Sequence, residues 1–146
     1  MAIEYSREKG LPLLKSYETP TLLTGFATIA KEIVEAEKKR VIDYILVPAG
    51  GGGLASSMAS VIKQISPETK VIAVEPDICK PYSTSILLDK LITAEKVSKF
   101  CNGSSVRQTS QIAYDIGRTS VDGFVEVTEK KLAEKIIKLY SMGFIC

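Results

Sequence analysis

A chain of 146 residues, 45% hydrophobic and 25% charged, has the composition of one ordinary globular domain or of part of a larger one. Its 19 basic and 17 acidic side chains leave a net charge of +2, too balanced to mark a nucleic-acid binder, and short runs such as Lys38-Lys39-Arg40 fit solvated helix faces. The absence of histidine excludes Ser-His-Asp and Cys-His catalysis, and Cys79, Cys101 and Cys146 lack the spacing of a zinc site.

Three cysteines cannot all pair within one chain, which predicts reduced thiols in the cytoplasm. The opening Met1-Ala2-Ile3-Glu4-Tyr5 has no basic stretch followed by an apolar one, so no secretory leader is visible. No apolar run approaches the roughly 20 residues of a membrane helix. A soluble protein with neither membrane nor nucleic acid as partner is expected.

Taken in chain order, residues 2–9 read as a short helix closed by Gly10, and residues 11–14 as a short apolar strand. Glu18-Thr19-Pro20 turns into a helix over 21–39, with Leu22, Phe26, Ile29, Ile33 and Val34 at helical spacing. The apolar run Tyr44-Ile45-Leu46-Val47 suits a strand covered on both faces. It enters Pro48-Ala49-Gly50-Gly51-Gly52-Gly53, then a small-residue helix over 54–64 and a second buried strand, Val71-Ile72-Ala73-Val74, closed by Glu75-Pro76. Residues 77–100 read as short helical pieces and loops, 106–118 as a helix, and 124–127 as a strand. Thr128 is the expected N-cap of a last helix carrying Leu132, Ala133, Ile136, Ile137 and Tyr140. Strands alternating with helices predict an α/β fold with an open, mostly parallel sheet and helices on both faces. No linker separates two cores, so residues 1–146 are expected to form a single unit.

The glycine tract carries the chemistry. Four consecutive glycines are costly to order, yet they let several backbone N–H groups approach one object. The helix that follows adds its own unpaired N–H groups and the positive end of its dipole. That combination suits a phosphate, with no charged side chain required. A tight turn without a ligand is the plain alternative. The tract lacks the Gly-Lys-Ser/Thr of a nucleoside-triphosphate loop, since Leu54-Ala55 follows. A dinucleotide fingerprint competes: Gly50-x-Gly52-x-x-Ala55 has its spacing, and Glu75 ends the next strand where an acid could hold a ribose.

Pro48-Ala49-Gly50-Gly51-Gly52-Gly53-Leu54 resembles the tetraglycine phosphate loop of the serine/threonine dehydratase branch of the fold type II pyridoxal-phosphate-dependent enzymes. The stretch from Tyr17-Glu18-Thr19-Pro20 to Ile33 looks like the family's approach to its Gly-x-Gly-Thr helix, although Phe26-Ala27 departs from the usual Gln-Gly. Val71-Ile72-Ala73-Val74-Glu75-Pro76, Asn102-Gly103-Ser104-Ser105-Val106 and Val121-Asp122-Gly123-Phe124-Val125-Glu126-Val127 are similar to later segments.

The resemblance implies elimination of water from L-threonine or L-serine with pyridoxal 5'-phosphate as cofactor. Phosphate would be held by the N–H groups of Gly50, Gly51, Gly52, Gly53 and Leu54, with Gly103 near the cofactor ring. The family's Schiff-base lysine, in a Ser-x-Lys setting, has no counterpart here, and Ser98-Lys99 is adjacent rather than spaced. The family's small domain is also absent, so the chain is expected to be an internal slice of the cofactor domain, without a catalytic residue or activity of its own. The family's cation positions fall on Glu75, Cys79 and Pro81, where a required Asp is missing, so no metal site is assigned. Uncovered apolar faces predict a homo-oligomer. The alternatives are an NAD-linked nucleotide-binding module and an inactive, dimerising structural paralogue.

Overall fold

The computed structural model describes residues 1–15, 18–37 and 40–144; Tyr17, Lys38, Lys39 and Cys146 lie outside them. The elements are α1 (Ala2–Lys9), α2 (Pro20–Ala36), β1 (Tyr44–Pro48), α3 (Gly53–Ile65), β2 (Lys70–Pro76), α4 (Pro81–Leu87), α5 (Gln111–Ser120), β3 (Gly123–Val127) and α6 (Glu129–Ser141). The alternation yields the parallel α/β sheet expected of it. Its order is β1-β2-β3, with Ile45 beside Val71, Val47 beside Ala73, and Ala73 beside Phe124.

α1 ends at Gly10, whose φ of 62° is the left-handed cap expected there. Residues 11–14 do not form the expected strand. They have no neighbouring strand among the described residues, and Leu11 and Leu14 stay exposed. An apolar run becomes a strand only where a ladder partner exists.

α2 begins at Pro20, with Thr19 extended as N-cap and the proline at the first helical position, where its missing N–H is harmless. Its buried residues are Leu23 and Ala30, and Ile33 and Val34 pack half-buried against the core as their spacing predicts, whereas Ile29 is exposed and Ala30 is buried in its stead. The cause is α3, a helix whose buried residues include Ala55, Ser56, Ser57 and Ala59. Small side chains let α2 lie close, and close packing favours Ala30 over a bulkier neighbour.

The core joins Ile45, Val47, Val71 and Ala73 of the sheet to Ala55, Met58, Ala59 and Ile62 of α3. Burying Ile62 and Val71, both fully inaccessible, contributes about 1.5–3 kcal/mol each. Cover is unequal between the faces of the sheet. β1 alternates buried and exposed, leaving Tyr44 64% and Leu46 63% exposed, so the run read as doubly covered is covered on one side. α6 has no buried residue, and Ile137 and Tyr140 face solvent. No helix among the described residues is long and apolar enough to cross a membrane.

The expected helix over 106–118 starts later, at Gln111. The Ser110 hydroxyl accepts the Ala113 N–H at 3.2 Å, and that cap sets the start. Residues 106–109 run instead along residues 93–94, where the Ala94 N–H donates to the Arg107 carbonyl at 2.7 Å. At α6 the expected cap is present: Thr128 Oγ1 accepts the Lys131 N–H at 3.2 Å.

Asp122 ties β3 to β2 and α3. One carboxylate oxygen accepts the Val71 N–H at 2.7 Å and lies 2.8 Å from Lys63 Nζ. Burial alone would raise its pKa, but the Lys63 hydrogen bond, the Val71 N–H and the charges of Lys63 and Lys70 outweigh it and hold the pKa below 3.8. A carboxylate depressed on folding adds stability above its unfolded pKa and loses it as pH falls through the folded value. Asp122→Ala should therefore cost about 1–3 kcal/mol at neutral pH by urea denaturation. That difference should shrink as pH drops below 3.8.

Candidate functional site

β1 hands the chain to the glycine tract at the carboxyl edge of the sheet. Ala49 is still held by the sheet, its N–H donating to the Val74 carbonyl at 2.8 Å. Beyond it the backbone turns too tightly for side chains. A Cβ on Gly50 would lie 2.8 Å from the Ser104 carbonyl oxygen, a backbone atom that cannot easily yield. Gly52 has a φ of 84°, and a Cβ there would lie 2.3 Å from the Tyr82 ring.

The hydrogen bonds of the tract are one-sided. The Gly51 carbonyl accepts from Thr109 Oγ1 at 2.6 Å, the Gly52 carbonyl from the Ser56 N–H at 2.9 Å, and the Gly53 carbonyl from Ser57 Oγ at 2.7 Å. No hydrogen bond among the described residues engages the N–H groups of Gly50, Gly51, Gly52, Gly53 or Leu54. The acceptors of Gly51, Gly52 and Gly53 are consumed by the protein while the donors remain, at the N-terminus of α3, where the helix dipole is positive. An anion with several oxygens satisfies such a set.

These five residues line a cavity of about 660 Å³. The turn over residues 100–104 forms a second wall, and Phe26 and Leu132 also line the cavity. Ser98 fixes that wall. Its hydroxyl oxygen accepts the N–H groups of Phe100 and Cys101, at 3.1 and 2.7 Å, and its proton goes to Glu129 at the start of α6. The Cys101 carbonyl then accepts from the Ser104 N–H at 3.1 Å and the Ser105 hydroxyl at 2.9 Å. Gly103 lines the same cavity with open space around the position a Cβ would take. Among the described residues no lining residue is a lysine, and none is Asp, Glu or Arg. Any negative charge bound here would be met by backbone amide dipoles and the neutral polar groups of Asn102 and Ser104, without a formal positive charge from a described lining residue.

Glu75, the acid a dinucleotide reading requires, points elsewhere. It is 2% exposed, and its two oxygens accept the N–H groups of Tyr82 and Ser83 at 3.0 and 2.8 Å, capping α4. Burial raises its pKa; the bonds from Ser83 and Tyr82 offset only part of that rise. A ribose would find neither oxygen available, which disfavours the nucleotide alternative. Pro81, at a family cation position, is the first residue of α4. The described residues contain no cluster of three or more potential metal ligands.

The sequence marked the glycine tract and Gly103 but not Thr109, Tyr82 or the Ser98 and Glu129 contacts that hold the turn over residues 100–104. Thr109 falls within the expected helix over 106–118, and the cap at Ser110 is the signal that would have excluded it. Nothing in the pattern around Tyr82 marks it as the residue packed against Gly52.

The chain is matched over residues 1–146 by the family model described as "Pyridoxal-phosphate dependent enzyme". It is 35% identical over 143 residues to the L-threonine dehydratase biosynthetic IlvA of Staphylococcus saprophyticus, covering 96% of this chain and 34% of that protein. The structure superimposes on threonine deaminase isoform 2, processed form, from Solanum lycopersicum with a TM-score of 0.89 and 28% identity, over 95% of this chain and 40% of that one. For the T.th. threonine deaminase the TM-score is 0.90 at 26% identity, over 97% and 51% of the two chains. The present chain thus spans about a third of the length of the curated relative it matches. The phosphate-suited loop, the parallel sheet and the end-to-end match agree: the chain belongs to the family of pyridoxal-phosphate-dependent enzymes.

Proposed function

We propose that these residues form the phosphate-holding part of a pyridoxal-phosphate-dependent dehydratase that eliminates water from L-threonine or L-serine, giving a 2-oxo acid and ammonia. The observation that carries the proposal is the set of uncommitted N–H groups over residues 50–54 at the start of α3. When bound, the cofactor supplies the electron sink for elimination. The chain's own contribution is binding and orientation. Gly50, Gly51, Gly52, Gly53 and Leu54 donate to the phosphate, Gly103 leaves room for a flat ring, and Phe26, Phe100 and Leu132 limit the access of water.

Among the described residues that line the cavity none is a lysine, so none of them offers an amine to carry the cofactor or to move a proton at the substrate's α-carbon. On this reading the 146-residue chain binds without turning over. A cytoplasmic setting suits the two described cysteines, Cys79 and Cys101, neither of which is in a disulfide. The exposed apolar residues of β1 and α6, Tyr44, Leu46, Ile137 and Tyr140 among them, favour association into a homo-oligomer.

Incubation of the chain with pyridoxal phosphate and L-threonine should yield no 2-oxobutanoate above the cofactor-only control; turnover at ordinary enzymatic rates would contradict the absence of a catalytic residue. Phosphorus NMR should show saturable binding of inorganic phosphate. Gly50→Ala, whose Cβ would stand 2.8 Å from the Ser104 carbonyl oxygen, should reduce it markedly. A loss of about tenfold matches the removal of one hydrogen bond to a charged group. Light scattering should report a dimer or larger species, and a monodisperse monomer would contradict the association.

A further inference from the structure

Tyr82 is the largest fully buried side chain among the described residues, and nothing in the proposed chemistry uses it. It follows Pro81 at the start of α4, where Glu75 holds its N–H. Its ring occupies a notch that exists only because two glycines face it. A Cβ on Gly52 would lie 2.3 Å from the ring atoms Cδ2 and Cε2. A Cβ on Gly117, in α5, would lie 2.0 Å from the hydroxyl oxygen and 2.8 Å from Cζ. Phe124 of β3 meets the ring edge to face, with centroids 6.1 Å apart.

The hydroxyl does not explain this placement. Burial raises its pKa strongly, and it has no hydrogen-bond partner among the described residues. Ser56, which offsets only part of the rise that burial causes, directs its hydroxyl to the Gly53 carbonyl instead. Shape therefore holds the ring, and a rigid ring transmits displacement from one neighbour to the next. One of those neighbours is Gly52, the left-handed residue immediately before α3. Its conformation sets where the N–H groups of Gly52, Gly53 and Leu54 point.

We propose that Tyr82 is a positioning residue for the glycine loop: clamped between Gly52 and Gly117, its ring holds the left-handed turn at Gly52 and makes the loop's donor geometry depend on the placement of α5. The proposal rests on the phosphate-site reading, yet it concerns Gly117, a residue that does not line the cavity.

The test uses the isotopically labelled chain, inorganic phosphate as probe, and nitrogen–proton correlation spectra. Gly117→Ala should shift the Gly52 amide resonance without phosphate and weaken phosphate binding about tenfold, the worth of one misaligned hydrogen bond to a charged group. Combining it with Tyr82→Phe removes the oxygen 2.0 Å from the new methyl group, leaving only the milder 2.8 Å approach to Cζ, and should recover part of the lost affinity. Tyr82→Leu, which leaves the notch beside Gly52 partly empty, should weaken binding in the same direction and decides the matter if Gly117→Ala does not fold. Thermal unfolding is followed in parallel. A purely structural role would lower the melting temperature while leaving the phosphate affinity of the folded protein and the Gly52 resonance unchanged, and that result would overturn the proposal. Should the unaltered chain fail to bind phosphate, the phosphate-site reading fails separately, because the Gly52 resonance of the unliganded variants still reports the coupling.

Discussion

The glycine tract depends on a division between its acceptors and its donors. Peptide groups away from solvent must find partners, and here the carbonyls of Gly51, Gly52 and Gly53 find theirs within the protein. The N–H groups over residues 50–54 find none among the described residues, and these five residues line a cavity rather than a packed interior. The left-handed turn at Gly52 makes this division possible by reversing the backbone just before α3. With a side chain at Gly50 or Gly52, contact with Ser104 or Tyr82 would force the strand-to-helix connection apart.

Much of the surrounding structure holds that connection still. Val47 and Ala73 press the sheet against α3, and α3 is flanked by α2 and α5. Glu75 gives up any surface role to cap α4, which seats Tyr82. Ser98 and Glu129 tie the second wall of the cavity to α6. The unequal cover of the sheet is the counterpart. One face carries the core and supports the loop, while Tyr44 and Leu46 on the other are left exposed.

The frame was legible in the sequence because its signals were local. Gly10, Pro20 and Thr128 marked helix ends through cap chemistry that needs only neighbouring residues, and each stands where it was expected. The glycine tract announced a donor-rich turn for the same reason. What stayed hidden depended on distant partners. Residues 11–14 look like a strand until the lack of a ladder neighbour among the described residues is known, and Ile29 looks inward until close packing on the small residues of α3 favours Ala30 in its place. Thr109 reaches Gly51 across 58 positions, and the buried ring of Tyr82 meets Gly117 35 positions later (117 − 82), beyond the range of periodicity. Family resemblance supplied the identity of the phosphate-bearing group, which amide geometry does not specify.

The central claim is that the amides over residues 50–54 converge on a phosphoryl group. A crystal structure of the chain grown with inorganic phosphate tests it most directly. The account predicts a phosphate at the N-terminus of α3 with its oxygens about 2.7–3.2 Å from several of those five nitrogens. Amides closed off by the chain's own carbonyls, with phosphate bound elsewhere or nowhere, would contradict it.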